Sequence, residues 1–184
     1  ISRARRNEII SSLEPYALLV RSLPGVSELA QGKVKVADLR EVSIKDLLGR
    51  DYVAPNKELL SLSITNKVVM VTGAGGSIGS ELCRQILFLK PQALILLEQS
   101  EFALYSIEQE LENMSSLSTK IIPILCSINN RRRLSMIMNR FNVHTIYHAA
   151  AYKHVPIVEY NNAEGVSNNI FGTLNCAQIA IDNK

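Results

Sequence analysis

The 184-residue sequence has little of the features that mark several specialised classes of protein. Its three cysteines, Cys83, Cys126 and Cys176, form no C-x-x-C pair, which argues against a disulfide scaffold and favours small core residues in a reducing compartment. The net charge of +3 is too small to indicate a nucleic-acid partner, and we expect none. No apolar run approaches the roughly 18 residues of a membrane span, and no signal peptide is visible. These absences predict an ordinary globular protein of the cytoplasm.

The sequence divides into two unequal regions. Residues 1–48 contain a short helix candidate near residues 9–13 but cannot bury a core of their own, so we interpret them as the C-terminal remnant of a preceding Rossmann-like domain. Residues 49–66, with Pro55 and several polar side chains, predict a linker. Because the sequence begins without methionine and ends in a helix-like run, we expect it to be a piece of a longer protein.

Strand and helix patterns alternate from residue 67 to residue 184. Short apolar runs predict strands at 67–72, 93–98, 120–125 and 143–148, and apolar residues at helical spacing predict helices at 79–89, 101–114, 129–141 and about 157–181. Alternation with short connections is typical of a parallel sheet wound by crossover helices. The sequence therefore predicts an α/β fold, the N-terminal half of a Rossmann-type doubly wound sheet.

The most informative segment is KVVMVTGAGGSIG, residues 67–79, in which an apolar strand breaks into glycines and a helix begins. Gly73, Gly76 and Gly79 have the spacing G-x-x-G-x-x-G, which after Thr72 resembles that of short-chain dehydrogenases and reductases. Free backbone N–H groups at such a turn bind a pyrophosphate, to which Ser77 could add a hydroxyl. The segment predicts a dinucleotide-binding turn, and the alternative is an ordinary tight turn between a strand and a helix.

The end of the second predicted strand carries an acidic residue. Glu98 follows Gly79 by about 20 residues, the position at which a carboxylate binds the ribose 2′-hydroxyl of NAD. A carboxylate there would repel the 2′-phosphate of NADP, so we expect NAD and consider NADP the weaker candidate. Alternatively, Glu98 only precedes a helix capped by Ser100, and the two interpretations are compatible.

The ends of the third and fourth strands supply further candidates. Ser127 could hydrogen-bond adenine, and small residues at 149–151 would let the nicotinamide ribose approach the backbone. Lys153 then lies where it could meet a substrate phosphate or hydroxyl. The three histidines, His144, His148 and His154, show no metal-ligand spacing with carboxylates or cysteines, so we expect no metal.

Three segments, TGAGGSIGSELCRQI, ALILLEQSEFALYSIEQEL and HAAAYKHVPIVEYNNAEGVSNNIFGT, resemble the nucleotide-sugar epimerases and dehydratases of bacterial polysaccharide biosynthesis. The resemblance covers residues 67–184, is most specific in HAAAYKHVP, and extends to GKVKVADLREVSIKDLLGR, which is similar to the domain junction of the long, membrane-associated members. It implies that the cofactor is held by Gly73, Gly76, Ser77, Ile78, Gly79, Glu98, Ser100, Ser127, Ile128, Ala149, Ala150 and Lys153. It further implies that Lys153 and Asn169 serve the substrate side of the site. The run Cys126-Ser127-Ile128-Asn129-Asn130 departs from the family's usual G-D-I/V-R-D.

The resemblance implies a UDP-N-acetylglucosamine 4,6-dehydratase with tightly bound NAD. In that reaction NAD takes a hydride from C4 of the sugar, water leaves across C5–C6, and the hydride returns to C6. The implied partners are a UDP-sugar and further copies of the protein, and the longer protein would be anchored to the bacterial inner membrane with its catalytic region in the cytoplasm. A UDP-sugar 4-epimerase or 4-dehydrogenase of the same fold and a non-catalytic dinucleotide sensor remain alternatives.

The family's proton-transfer residues lie in Thr-Asp-Lys and Tyr/Met-x-x-x-Lys segments, which in this resemblance follow Lys184. We therefore assign no catalytic residue to the chain and expect no turnover of UDP-N-acetylglucosamine by the chain alone with NAD. Chromatography of the UDP-sugars after prolonged incubation measures this, with an active dehydratase added to a parallel sample to show that product is detectable. Formation of a 4-keto-6-deoxy sugar by the chain would contradict the expectation.

Overall fold

The computed structural model describes residues 55–114 and 119–183, together with Arg5, Ile9, Ser12, Arg21–Ser22 and Arg40–Glu41. The chain separates into two compact units, Ile1–Pro55 and Asn56–Lys184. In the first unit, strand β1 (Arg21–Ser22) pairs antiparallel with strand β2 (Arg40–Glu41). Most of the predicted remnant 1–48, including most of the helix candidate at 9–13 and of the predicted junction at 33–50, lies outside the described residues.

The second unit is built on a four-stranded parallel sheet. Its strands run β3 (Val68–Thr72), β4 (Ala93–Glu98), β5 (Lys120–Leu125) and β6 (Thr145–His148) along the chain, and the order across the sheet is β5-β4-β3-β6. The chain thus builds outward from β3 to β5 and then crosses back to place β6 on the other side of β3. This arrangement confirms the predicted α/β fold with a parallel, Rossmann-type sheet.

Helices cover both faces of the sheet, and each face has its own core. Helix α1 (Lys57–Ile64) precedes the sheet, and its strands are connected by α2 (Ser77–Phe88), α3 (Glu101–Met114) and α4 (Arg131–Phe141). Val69 and Val71 point to the face covered by α1, α2 and α3, whereas Val68 and Met70 point to the face covered by α4 and the last helix. Strands buried on both faces must be apolar at successive positions, which is why β3 and β4 are nearly continuous apolar runs.

The three cysteines belong to these cores. Cys83, Cys126 and Cys176 are buried and form no disulfide. Burial raises the pKa of the Cys83 thiol to about 12, so this side chain behaves as a small apolar residue. None of the helices among the described residues is long and apolar enough to cross a bilayer.

The segment predicted as a linker contains a helix in its second half. The side chain of Asn56 begins α1 by accepting hydrogen bonds from the backbone N–H groups of Glu58 and Leu59. Ile64, at the end of α1, is 2% exposed and packs in the core against β3 and β4. Residues 57–64 are thus part of the folded unit, and the domain boundaries at residues 48 and 66 stay a prediction.

The single long helix predicted over residues 157–181 is wrong. The structure has three α-helices there, α5 (Val155–Tyr160), α6 (Asn162–Val166) and α7 (Thr173–Asp182), with a π-helical segment at Ser167–Gly172. Asn161 breaks the first two apart because its backbone (φ −129°, ψ 49°) is not helical. The π-helical segment then widens the turn that carries two adjacent asparagines, and such segments are frequent at functional sites.

The turn after β3 depends on the absence of side chains at its glycines. Gly73 has φ of +65°, in the left-handed region. A Cβ atom on Gly79 would lie 1.9 Å from the carbonyl oxygen of Gly73, so the turn and the first coil of α2 could not approach each other. Gly75, which the motif spacing does not include, lies against α3, where its Cβ would be 2.5 Å from that of Ala103.

A relay of hydrogen bonds joins the end of β3 to β6 and α7. The Thr173 hydroxyl donates to the Asn169 carbonyl (2.7 Å), so it accepts from Nε2–H of His148 (3.0 Å). Nδ1 of His148 then accepts from the Thr72 hydroxyl (2.7 Å), whose oxygen accepts from the Ala149 N–H (3.3 Å). Every donor in this relay has an acceptor only while the imidazole is neutral, and burial lowers the pKa of His148 accordingly.

The glycine contacts predict that alanine reduces the free energy of unfolding by different amounts at two positions of the motif. Gly79→Ala is expected to reduce the free energy of unfolding by about 3 kcal/mol, because its Cβ overlaps backbone that cannot move aside. Gly76→Ala is the matched control: its Cβ would lie 3.3 Å from the same oxygen, and we expect a loss below about 1 kcal/mol. Urea denaturation measures both, and equal losses would contradict the steric argument.

The relay predicts a pH dependence of stability. The pKa of His148 is lower in the folded chain than in the unfolded chain, whose imidazole becomes protonated below about pH 6.5. The free energy of unfolding therefore falls as the pH falls through this window. In His148→Gln, whose amide does not titrate, the slope between pH 7.5 and 5.5 should be shallower in urea denaturation. His154→Gln, which removes an exposed imidazole, should keep the slope of the unaltered chain. The same slope in all three proteins would show that the relay does not depend on a neutral imidazole.

Candidate functional site

A groove opens where the sheet order reverses. β3 and β6 are neighbours in the sheet but not in the sequence, and the crevice beyond their carboxyl ends is where open α/β sheets bind ligands. This groove is here called the switch-point groove, and its lining includes the glycine turn and the loop after β6. Its wall includes six of the predicted cofactor contacts, which lie on the glycine turn or in the segments that follow the strands: Gly73, Gly76, Glu98, Ile128, Ala149 and Ala150.

The start of α2, which borders the groove at Gly76, offers backbone donors. Gly76 begins α2 without any side-chain cap, so the first N–H groups of the helix are left for another acceptor. The helix dipole adds positive partial charge at the same point. Gly73 lies so close to the segment after β6 that its Cβ would be 2.8 Å from the backbone of Ala150. This combination of close backbone and unpaired N–H groups suits a phosphate.

The Glu98 carboxylate supports this turn as well as lining the groove. Its Oε2 accepts from the Gly75 N–H (3.1 Å), and its Oε1 accepts from the N–H groups of Gln99 (2.9 Å) and Ser100 (3.1 Å). The side chain is 9% exposed, and Oε2 keeps capacity for one more donor. Sequence reasoning predicted Glu98 as a ribose contact, and its bond to Gly75 is a second role that no motif indicates.

Two predicted cofactor contacts use their hydroxyls locally. Ser100 Oγ accepts from the Ala103 N–H (3.4 Å) and so caps α3, as the alternative interpretation expected. Ser127 Oγ accepts from the Asn129 N–H (3.3 Å) in the loop after β5. The groove wall beside Ser127 is formed by its neighbours Cys126 and Ile128, of which only Ile128 was predicted.

The two asparagines of the π-helical segment have different surroundings. Asn169 donates from Nδ2 to the Tyr152 carbonyl and accepts at Oδ1 from the Tyr152 N–H, both at 2.9 Å, so its amide holds the loop after β6. Asn168 is 3% exposed, lines the groove and donates to Asn169 Oδ1 (3.0 Å). Within the described residues Asn168 Oδ1 has no donor. Asn169 was the predicted substrate contact, whereas Asn168 was missed because the sequence does not show which of two adjacent asparagines is buried.

A second groove lies on the other side of the glycine turn. It is lined on one side by Ser77, Ile78 and Gly79, and on the other by α5, α6 and the loop that carries Lys153. Gly76 and Ala149 border both grooves. The structure therefore separates the predicted contacts into two neighbouring sets, with Lys153 in the second. Among the described residues no cluster of histidine, cysteine and acidic side chains could hold a metal.

Comparison with known proteins finds relatives in polysaccharide biosynthesis. The profile of the family described as "Polysaccharide biosynthesis protein" matches residues 69–184. The chain is 43% identical, over 98% of its length, to the capsular polysaccharide biosynthesis protein CapD of Staphylococcus aureus, of which it covers 30%. It is 31% identical, over 64% of its length, to a UDP-N-acetylglucosamine 4,6-dehydratase (inverting) of Campylobacter jejuni, of which it covers 33%.

A solved structure shows the same fold. A short-chain type dehydrogenase/reductase from Mycobacterium ulcerans superposes with a TM-score of 0.58 at 18% identity, over 66% of this chain and 47% of that one. The chain spans about a third or less of the length of the two relatives named above. The family profile matches well over half of the chain, and the matched residues include those that line both grooves. The chain therefore belongs to this polysaccharide biosynthesis family.

Proposed function

We propose that the chain is the dinucleotide-binding part of an NAD-dependent nucleotide-sugar 4,6-dehydratase that acts on UDP-N-acetylglucosamine in polysaccharide precursor synthesis. The observation that carries the proposal is the glycine turn, which lines the switch-point groove together with the Glu98 carboxylate and leads into the uncapped start of α2. The similarity to the UDP-N-acetylglucosamine 4,6-dehydratase of Campylobacter supports the reaction, and the HAAAYKHVP segment supports the substrate class. A 4-epimerase or 4-dehydrogenase would use the same groove.

The residues of the groove fit a nicotinamide dinucleotide. The uncapped start of α2 suits the pyrophosphate, and the remaining acceptor capacity of Glu98 Oε2 suits a ribose hydroxyl. Ile128, which lines the groove, suits an apolar contact with adenine. The Oδ1 atom of Asn168, which has no donor within the described residues, calls for a ligand N–H or O–H, because a buried carbonyl without a partner is costly.

A bound nicotinamide dinucleotide would supply a hydride acceptor and donor for the C4 and C6 positions of the sugar. The residues of the chain itself would bind the two ligands and orient them. The relay through His148 fixes the end of β6 relative to the glycine turn, and Asn169 fixes the backbone that follows. This places Lys153 on the second groove, where its ammonium group could contact the phosphates of a UDP-sugar. We assign the sugar nucleotide to that groove.

Cofactor choice follows from the charge of Glu98. A carboxylate that already lines the groove would repel the added 2′-phosphate of NADP and accept a hydrogen bond from the free hydroxyl of NAD. The longer protein's membrane attachment and self-association stay predictions that rest on the family resemblance.

We expect the unaltered chain to bind NADH at least tenfold more tightly than NADPH. Glu98→Arg should remove or reverse this preference, because it replaces the repelling charge with an attracting one, a change equivalent to more than about 1.4 kcal/mol. Glu101→Arg makes the same change of charge at an exposed position on α3 and should keep the preference. Titration followed by nicotinamide fluorescence measures all six affinities.

Equal binding of NADH and NADPH by the unaltered chain would overturn the assignment of Glu98. Because Glu98 also supports the turn, Glu98→Gln serves as a milder variant that keeps one acceptor oxygen. It should weaken NADH binding and narrow the preference without reversing it.

A further inference from the structure

A side-chain hydrogen bond spans the switch-point groove. Gln99 Nε2 donates to the Tyr152 hydroxyl oxygen at 3.0 Å, and both residues line the groove. Gln99 directly follows β4, and Tyr152 lies in the loop after β6. Because β3 separates β4 from β6 in the sheet, the bond joins strand ends about 10 Å apart and passes across the end of the strand that carries the glycine turn.

Both ends of this bond are held at the backbone. The Gln99 N–H donates to Glu98 Oε1 (2.9 Å), so the carboxylate that supports the turn also fixes the backbone of Gln99. The Tyr152 N–H and carbonyl are both bonded to the amide of Asn169, which in turn accepts from the buried Asn168. The two side chains therefore extend from fixed points, which reduces the entropy lost when they meet.

The structure assigns Gln99 and Tyr152 the role of a clasp that gates exchange of the dinucleotide, an inference that rests on the proposed function. A ligand that enters or leaves the groove must pass while the bond is open. The bond is neutral and exposed, with Tyr152 37% accessible, so its equilibrium favours the closed form by only a few-fold to about tenfold. Since rotamers exchange much faster than ligands dissociate, the clasp slows entry and exit by the same factor.

This mechanism has a kinetic signature that a direct ligand contact lacks. Removing a clasp raises the association and dissociation rate constants together and leaves Kd nearly unchanged. Removing a side chain that binds the ligand raises the dissociation rate constant alone and weakens Kd. The two roles are therefore separable in one experiment.

The test measures association and dissociation of NADH by stopped-flow fluorescence. Tyr152→Phe deletes only the hydroxyl, and Gln99→Met replaces the amide with an apolar group of similar length. Each is expected to raise both rate constants by two- to tenfold with Kd changed less than twofold, and the double variant should be no faster than the single variants. Tyr160→Phe, at a tyrosine that is 91% exposed on α5, is the matched control and should leave both rates unchanged.

Unchanged rates in both single variants, independent effects that multiply in the double variant, or a weakened Kd at constant association rate would each overturn the clasp while leaving the proposed function intact. Failure of the unaltered chain to bind NADH would contradict the proposed function, and the clasp with it. Thermal denaturation of each variant shows whether a change in rate reflects loss of folded protein. If Tyr152→Phe melts at the same temperature as the unaltered chain, its rate constants decide whether the clasp exists.

Discussion

The contact between Gly73 and Gly79 brings the end of β3 and the start of α2 together, and the rest of the groove is arranged around it. With the Gly73 carbonyl only 1.9 Å from where a Cβ of Gly79 would stand, the chain must leave the strand, reverse and enter the helix within a few residues. That short path turns the N–H groups of α2 toward the end of the sheet. It also brings Gly73 against the backbone of Ala149 and Ala150, which sets the width of the groove.

Hydrogen bonds from side chains to backbone then hold the neighbouring strand ends in place. Glu98 ties the end of β4 to the turn through Gly75, His148 ties the end of β6 to β3 and α7, and Asn169 ties the next loop to the π-helical segment. Each of these side chains serves a carbonyl, hydroxyl or N–H group and not a charged partner. Such bonds specify geometry more than they add net stability, which suits a site that has to be shaped before its ligand arrives.

The sequence predicted the parts of this arrangement that depend on local pattern. The buried strands β3 and β4 are apolar runs, and the glycines at 73, 76 and 79 have a recognisable spacing, so both were found. Gly75 was not, because its requirement comes from Ala103 on another helix. The His148 relay was missed for the same reason: its partners are 76 and 25 residues away in the chain. Helical periodicity also continues through Asn161, which hides the break that the structure places there.

That break has a structural consequence for the second groove. The break at Asn161 separates α5 from α6, and residues of both helices line the groove. The two helices pack closely because Gly165 has no side chain: a Cβ there would be 2.7 Å from Val158 Cγ1. The first groove is thus shaped largely by backbone at strand ends, and the second in part by side chains on α5 and α6.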